Sequence, residues 1–129
     1  MNTQSPQTRA WTAAELAELD RAPLIRVGGA RSDGTLRPLV LIGHVRLGQD
    51  ELIRSLNGIH GSWYRGAVGS GRGEIEVDGR RIEVAFLPDS GREAGVDQAL
   101  RARYGNDSGV LQMTRLPARE ATLRVVPLA

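Results

Sequence analysis

The chain has 129 residues, with 17 basic residues, all arginine, against 15 acidic ones and a net charge of +2. That length sets the expectation of one domain able to bury about two-thirds of its unfolded surface. The lack of cysteine excludes disulfides and thiolate chemistry, and the lack of lysine excludes Schiff-base catalysis. Two histidines, His44 and His60, are too few for a His-rich metal site, so no metal is expected. Arginines and acids alternate along the chain and only five aromatics are present, which argues against a nucleic-acid binder. The apolar stretch Leu39–Ile42 is too short to span a membrane, and residues 1–9 lack an apolar signal core, so a cytoplasmic location is expected.

Residues 1–10 are polar and read as a disordered tail, with the folded domain at 11–129. Thr12-Ala13-Ala14-Glu15 has the form of a capping box and predicts a helix to about Arg21, ended by Pro23. From Leu24 the pattern turns to strands. Residues 24–29 form one, and Ser32-Asp33-Gly34 is a turn. Residues 36–47 alternate with period two, with Leu39, Leu41, Val45 and Leu47 on one face and Val40, Ile42, His44 and Arg46 on the other. Gly48-Gln49-Asp50 turns the chain into a strand over 51–56.

Asn57–Gly61 is a loop, and Ser62 is placed to cap a short helix from Trp63 to about Val68. Gly69–Gly73 lacks the Lys-Ser/Thr ending of a phosphate loop and leads into a strand, so it reads as a turn. Residues 74–77 and 80–87 pair through Asp78-Gly79, the type I′ hairpin signal. Glu74 and Glu76 share a solvated strand face. Residues 93–104 form a helix with Val96, Leu100 and Tyr104 spaced by four, ended by Gly105. Strands are expected at 110–116 and 121–126. The result is a mainly β, α+β fold: a split β-barrel or highly curved sheet of six or seven mostly antiparallel strands with two or three peripheral helices.

The residues that could carry chemistry gather between Arg54 and Arg65. A helix start at Ser62 exposes backbone N–H groups, and Arg37, Arg54 and Arg65 could converge on it, which suits a phosphorylated cofactor or an anionic substrate. Trp63 and Tyr64 are the one adjacent aromatic pair. They could flank a planar ring, or anchor a helix to the barrel. His60, Tyr104 and His44 are the candidates for proton transfer. His44, beside Ile42 in a strand, also reads as a satisfied core or interface histidine.

Arg31-Ser32-Asp33-Gly34-Thr35-Leu36-Arg37-Pro38-Leu39 resembles the Arg-x-x-Gly-x-x-Arg-x-x-Pro region of the deazaflavin-dependent nitroreductase family. Arg54-Ser55 through Gly58 resembles its strand end and glycine loop, and Trp63-Tyr64-Arg65 its Trp-Tyr motif. Residues 11–127 resemble the related domain of unknown function 2255 family. The Trp-Thr-x-x-Glu-Leu opening at 11–16 and Ala121-Thr122-Leu123-Arg124 carry that likeness. The resemblance implies a split β-barrel homodimer with cofactor near the subunit interface. It implies a deazaflavin or FMN cofactor, held by Arg37, Arg54, Ser62, Trp63, Tyr64 and Arg65, performing hydride transfer to a small organic substrate. The chain departs from the nitroreductases at Gly66, where they carry Asn, in the short 57–62 loop, which has neither Pro nor Lys, and in the register of Pro38. These departures keep open a cofactor-free barrel, acting as a non-redox isomerase or cyclase or as a small-molecule-binding protein.

Overall fold

The computed structural model describes residues 7–129. Helix α1 spans Ala13–Arg21 and carries the full capping box: the Glu15 N–H donates to the Thr12 hydroxyl at 3.1 Å, and the Thr12 N–H donates to the Glu15 carboxylate at 2.9 Å. Leu19 and half-buried Leu16 turn its apolar face to the barrel. Seven strands follow in one antiparallel sheet: β1 (Ile25–Gly29), β2 (Val40–Ile42), β3 (Val45–Leu47), β4 (Asp50–Arg54), β5 (Arg72–Val77), β6 (Arg80–Pro88) and β7 (Thr122–Pro127). Their order is β2-β1-β5-β6-β7-β4-β3. The remaining helices are α2 (Ser62–Ser70), α3 (Glu93–Tyr104) and α4 (Ser108–Met113), with single 3-10 turns at Gly58–His60 and Ala118–Glu120.

The sheet curls because β2 and β3, its two edges, are neighbours in sequence. The sequence predicts one strand over 36–47, and the structure breaks it at Gly43-His44. One phenol causes the break. The Tyr104 hydroxyl accepts from the His44 N–H at 2.9 Å and stands 3.0 Å from the His44 carbonyl, so both backbone groups leave the ladder. The Tyr104 ring rests on Gly43, where a Cβ would lie 3.3 Å from ring atoms. Beyond the break the chain joins the opposite edge, and Val45 pairs with Leu52.

One face of the sheet closes around Val27, Ile53, Ile75, Val84, Phe86 and Leu123. Trp11 seals this core and donates its indole N–H to the Val125 carbonyl at 3.0 Å. A second cluster, Val45, Leu52, Val96, Leu100 and Val110, joins α3 and α4 to the opposite face of β3 and β4. Helix α2 lies directly on β1. A Cβ on Gly29 would come within 2.5–2.7 Å of the Gly66 and Ala67 backbone, so only glycine permits this approach. The β5–β6 hairpin turns through Asp78 and Gly79, both with positive φ (51° and 78°), as its sequence requires.

Three further expectations are corrected. Residues 110–116 are not a strand. Asp107 accepts from the Val110 N–H at 3.0 Å and starts α4, and its short apolar run suited either period. Ser62 is not the cap of α2. Gly61 holds that position, with no side-chain bond to the helix. Of the tail expected at 1–10, residues 1–6 lie outside the described residues, while residues 7–10 are ordered against the C-terminus. The Arg9 N–H donates to the Pro127 carbonyl and the Ala129 N–H to the Gln7 carbonyl, both at 2.9 Å.

Candidate functional site

Where the sheet fails to close, a cleft of about 380 Å³ opens between the β2 edge, the start of α2, and α3 with α4. Its walls are mostly apolar: Leu24, Leu41, Leu56, Trp63, Leu100 and Met113, with Tyr104 against Gly43. That volume lies in the ordinary range for small-molecule sites. Leu24, Leu41 and Leu56 are 45–49% exposed, an unusual state for leucines that share one cavity.

Each expected site residue has a definite place. Arg54 lines the cleft but is only 2% exposed. Its Nη1 donates to Asp97 at 2.5 Å and to the Met113 carbonyl at 2.8 Å, its Nε to the Thr122 hydroxyl at 2.9 Å, and its Nη2 to the Glu93 carbonyl at 3.2 Å. Asp97 accepts a second guanidinium, from Arg119, at 2.9 Å. Arg54 is therefore a strut joining β4, β7, α3 and α4, with all three of its guanidinium nitrogens already engaged. Trp63 is half-buried and lines the cleft, meeting Tyr64 edge-on at a centroid distance of 6.3 Å. Tyr64 itself is buried in the barrel core, and burial pushes its phenol above the ordinary range, helped by the charge of Glu120.

Ser62 and Arg65 are exposed on α2, and Arg37 is exposed with its stem laid across Gly66, where a Cβ would stand 2.6 Å from Cδ. Arg37, Arg54 and Arg65 do not converge on one point of the cleft lining, which includes Arg54 alone of the three. The departure at Gly66 thus has a physical role: it makes room for an arginine rather than presenting an amide.

Of the proton-transfer candidates, Tyr104 alone lines the cleft. Its hydroxyl accepts from the His44 N–H and from Arg103 Nε at 3.1 Å, and donates to the Pro23 carbonyl at 2.8 Å. It has no proton to spare. His60 is exposed at the end of a 3-10 turn. His44 is 2% exposed behind the cleft wall, its ring between Glu51 and the Ala22 carbonyl.

The sequence reading missed Asp97 and Arg119, and missed α4 as a cleft wall. A carboxylate one position from Val96 on a helix with an apolar stripe was the available signal for a buried acid. Among the described residues, no group of three or more His, Asp or Glu side chains is placed to hold a metal ion, and no helix is long and apolar enough to cross a membrane.

Comparison with solved structures places this fold among split-barrel proteins. HutZ, the haem storage protein of Vibrio cholerae, superposes with a TM-score of 0.66 at 11% identity, covering 91% of this chain and 90% of that one. An F420 reductase gives 0.59 at 16% identity, covering 88% and 92%. A 5-nitroimidazole antibiotic resistance protein of Bacteroides thetaiotaomicron, so described provisionally, gives 0.57 at 14% identity, covering 97% and 85%. At such identities the likeness shows the fold alone. No curated protein matches in sequence. The profile of an uncharacterised protein family conserved in bacteria, DUF2255, matches residues 15–125, and the chain belongs to that family.

Proposed function

We propose that the chain binds a planar organic molecule in this cleft, with Trp63 and Tyr104 among its walls. The observation that carries this reading is a mostly apolar cavity with two aromatic residues, in which Arg54 and the Tyr104 hydroxyl are already engaged by the protein and Asp107 accepts from the Val110 N–H. Such a site recognises shape and apolar surface more than charge.

A deazaflavin or FMN ring is the ligand class that the fold likeness supports. The ring portion fits the cleft's size and apolar lining. The expected cradle of Arg37, Arg54, Ser62 and Arg65 does not assemble: Arg54 is committed to Asp97, which leaves the exposed Ser62 and Arg65 at the start of α2 for an anionic arm. Such a cofactor would supply hydride transfer to a small organic substrate. The chain's own part is to orient the ring against Trp63 and to exclude water with Leu24, Leu41 and Leu56. A homodimer belongs to the same reading, since a second copy over the cleft mouth would cover those exposed leucines. A cytoplasmic site of action accords with it.

The second reading is a cofactor-free barrel that binds a small uncharged molecule. The consumed charge of Arg54 favours it. Its isomerase or cyclase form lacks support, because the cleft offers no free phenol or imidazole.

Thermal-shift titration with FMN, with oxidised deazaflavin cofactor and with uncharged planar aromatics separates these readings. Ligand at about 100 times its Kd stabilises the native state by about 2.7 kcal/mol. A saturable shift with either cofactor, quenching tryptophan fluorescence and lost in Trp63→Ala, supports the redox reading. A shift with uncharged aromatics alone supports the second. No saturable shift with any of them refutes both.

A further inference from the structure

The polar side chains that line the cleft differ in what they have left to offer a ligand. The Arg54 side chain is only 1% exposed, with Asp97, Thr122 and two carbonyls on its nitrogens. The Tyr104 hydroxyl is held by His44, Arg103 and Pro23. The Trp63 indole N–H is a neutral donor. Asp107 is the remaining polar group of the lining. It is exposed at the N-cap of α4, where its Oδ1 accepts from the Val110 N–H at 3.0 Å. A carboxylate has room for about four donors, and among the described residues no other group donates to this one.

The space beside that carboxylate is open as well. Gly109 lines the same wall, and a Cβ there would stand 3.4 Å from Asp107 Oδ1. Arg103 does not compete for it. That guanidinium stands behind Tyr104, its Cζ 5.6 Å from the ring centroid and its Nη2 on the Ala22 carbonyl, and it is not part of the lining. Among the described residues, the cleft therefore offers a ligand one open carboxylate and no open cation.

We infer that the cleft selects organic cations: a planar aromatic body between its apolar walls, with a protonated amine on Asp107. An ammonium brings three N–H donors, enough to meet Oδ2 while Oδ1 keeps the helix cap. The apolar walls around the pair weaken its screening by water. An anionic ligand meets the reverse, a like charge with no free guanidinium in the lining to offset it. This selectivity rests on the reading that the cleft binds a planar organic molecule, and adds the sign of that molecule's charge. In the redox reading the amine belongs to the organic substrate. In the cofactor-free reading it replaces the uncharged ligand with a cation.

The test uses ligands of one shape and different charge on the full chain: 2-naphthylmethylamine, 2-naphthylmethanol and 2-naphthoate, titrated by calorimetry at neutral pH. The amine should bind about 3–10-fold more tightly than the alcohol, the size of a partly solvated charged hydrogen bond, and the carboxylate should bind most weakly. Asp107→Asn keeps a helix cap of equal quality and removes the charge. In that variant the preference for amine over alcohol should vanish. A carboxylate that binds as tightly as the amine overturns the selectivity, and so does an amine preference that survives in Asp107→Asn. If the alcohol binds and the amine binds no tighter, the cleft still takes planar molecules and the charge preference alone falls. If none of the ligands binds, both fall. The wild-type series can refute the selectivity whatever the stability of the variant.

Discussion

Replacing Arg54 with methionine separates a structural strut from a ligand anchor. Methionine fills much of the volume of the arginine stem but supplies no donor. The change strips Asp97 of its 2.5 Å partner and leaves the Thr122 hydroxyl and the Met113 and Glu93 carbonyls without theirs. Removing one member of a buried ion pair costs about 3–5 kcal/mol. Asp97 keeps Arg119 at 2.9 Å, which moves the charge contribution below that range, to about 2–3 kcal/mol. Unpaired buried acceptors add about 1–2 kcal/mol. The sum, about 3–5 kcal/mol, is a large part of the stability of a domain this size. At about 3–6 °C per kcal/mol, the thermal midpoint should fall by about 10–30 °C, read by circular dichroism melts and checked by urea titration. Adding Asp97→Leu to Arg54→Met should recover part of the loss, since Arg119 is 42% exposed and can return to water. A fall of less than about 1 kcal/mol in the single variant would refute the strut and return Arg54 to the candidates for anion binding.

Four further outcomes follow from the same geometry. Thr12→Ala should cost about 1 kcal/mol by opening the capping box of α1, measured by chemical denaturation. Glu15, bonded to Arg9, holds its carboxyl down at about 2. Its contribution, about 1–2 kcal/mol once the half-exposed Arg9 is discounted, is full above the usual carboxylate range and is lost as pH falls toward 2; Glu15→Gln should flatten that part of the stability–pH curve. Gly29→Ala should cost more than about 3 kcal/mol, because its Cβ meets the α2 backbone, whereas Gly66→Ala meets only the movable Arg37 stem and should change stability by less than about 1 kcal/mol. Finally, Asp107→Ala should fray α4 at a cost of about 1 kcal/mol and weaken cleft ligands, which a binding isotherm beside a melt would show; unchanged affinity would mean that α4 is not a working wall.

Local signals in the chain were enough for the elements with strong punctuation. Thr12 with Glu15, Asp78 with Gly79 and Gly105 at the end of α3 each satisfy a need set within a few residues, so sequence alone determined the first helix, the central hairpin and the end of the long helix. The mainly antiparallel architecture followed from alternating strands and short turns. Tertiary contacts decided the rest. A phenol 60 residues away splits the 36–47 strand at His44 and sends its second half to the opposite edge of the sheet. The short segment with Val110, Leu111 and Met113 becomes α4 because it packs beside Leu100 and Val45, which its own periodicity could not announce. The site divides along the same line. Trp63 was legible as an aromatic that could flank a planar ring, whereas Tyr64, read with it, is in the core, and Tyr104, read as a candidate for proton transfer, is a cleft wall. Whether an arginine is free to meet a ligand depends on which carboxylate the fold brings to it, and Asp97, 43 residues from Arg54, is set there only by the packing of α3 on β4.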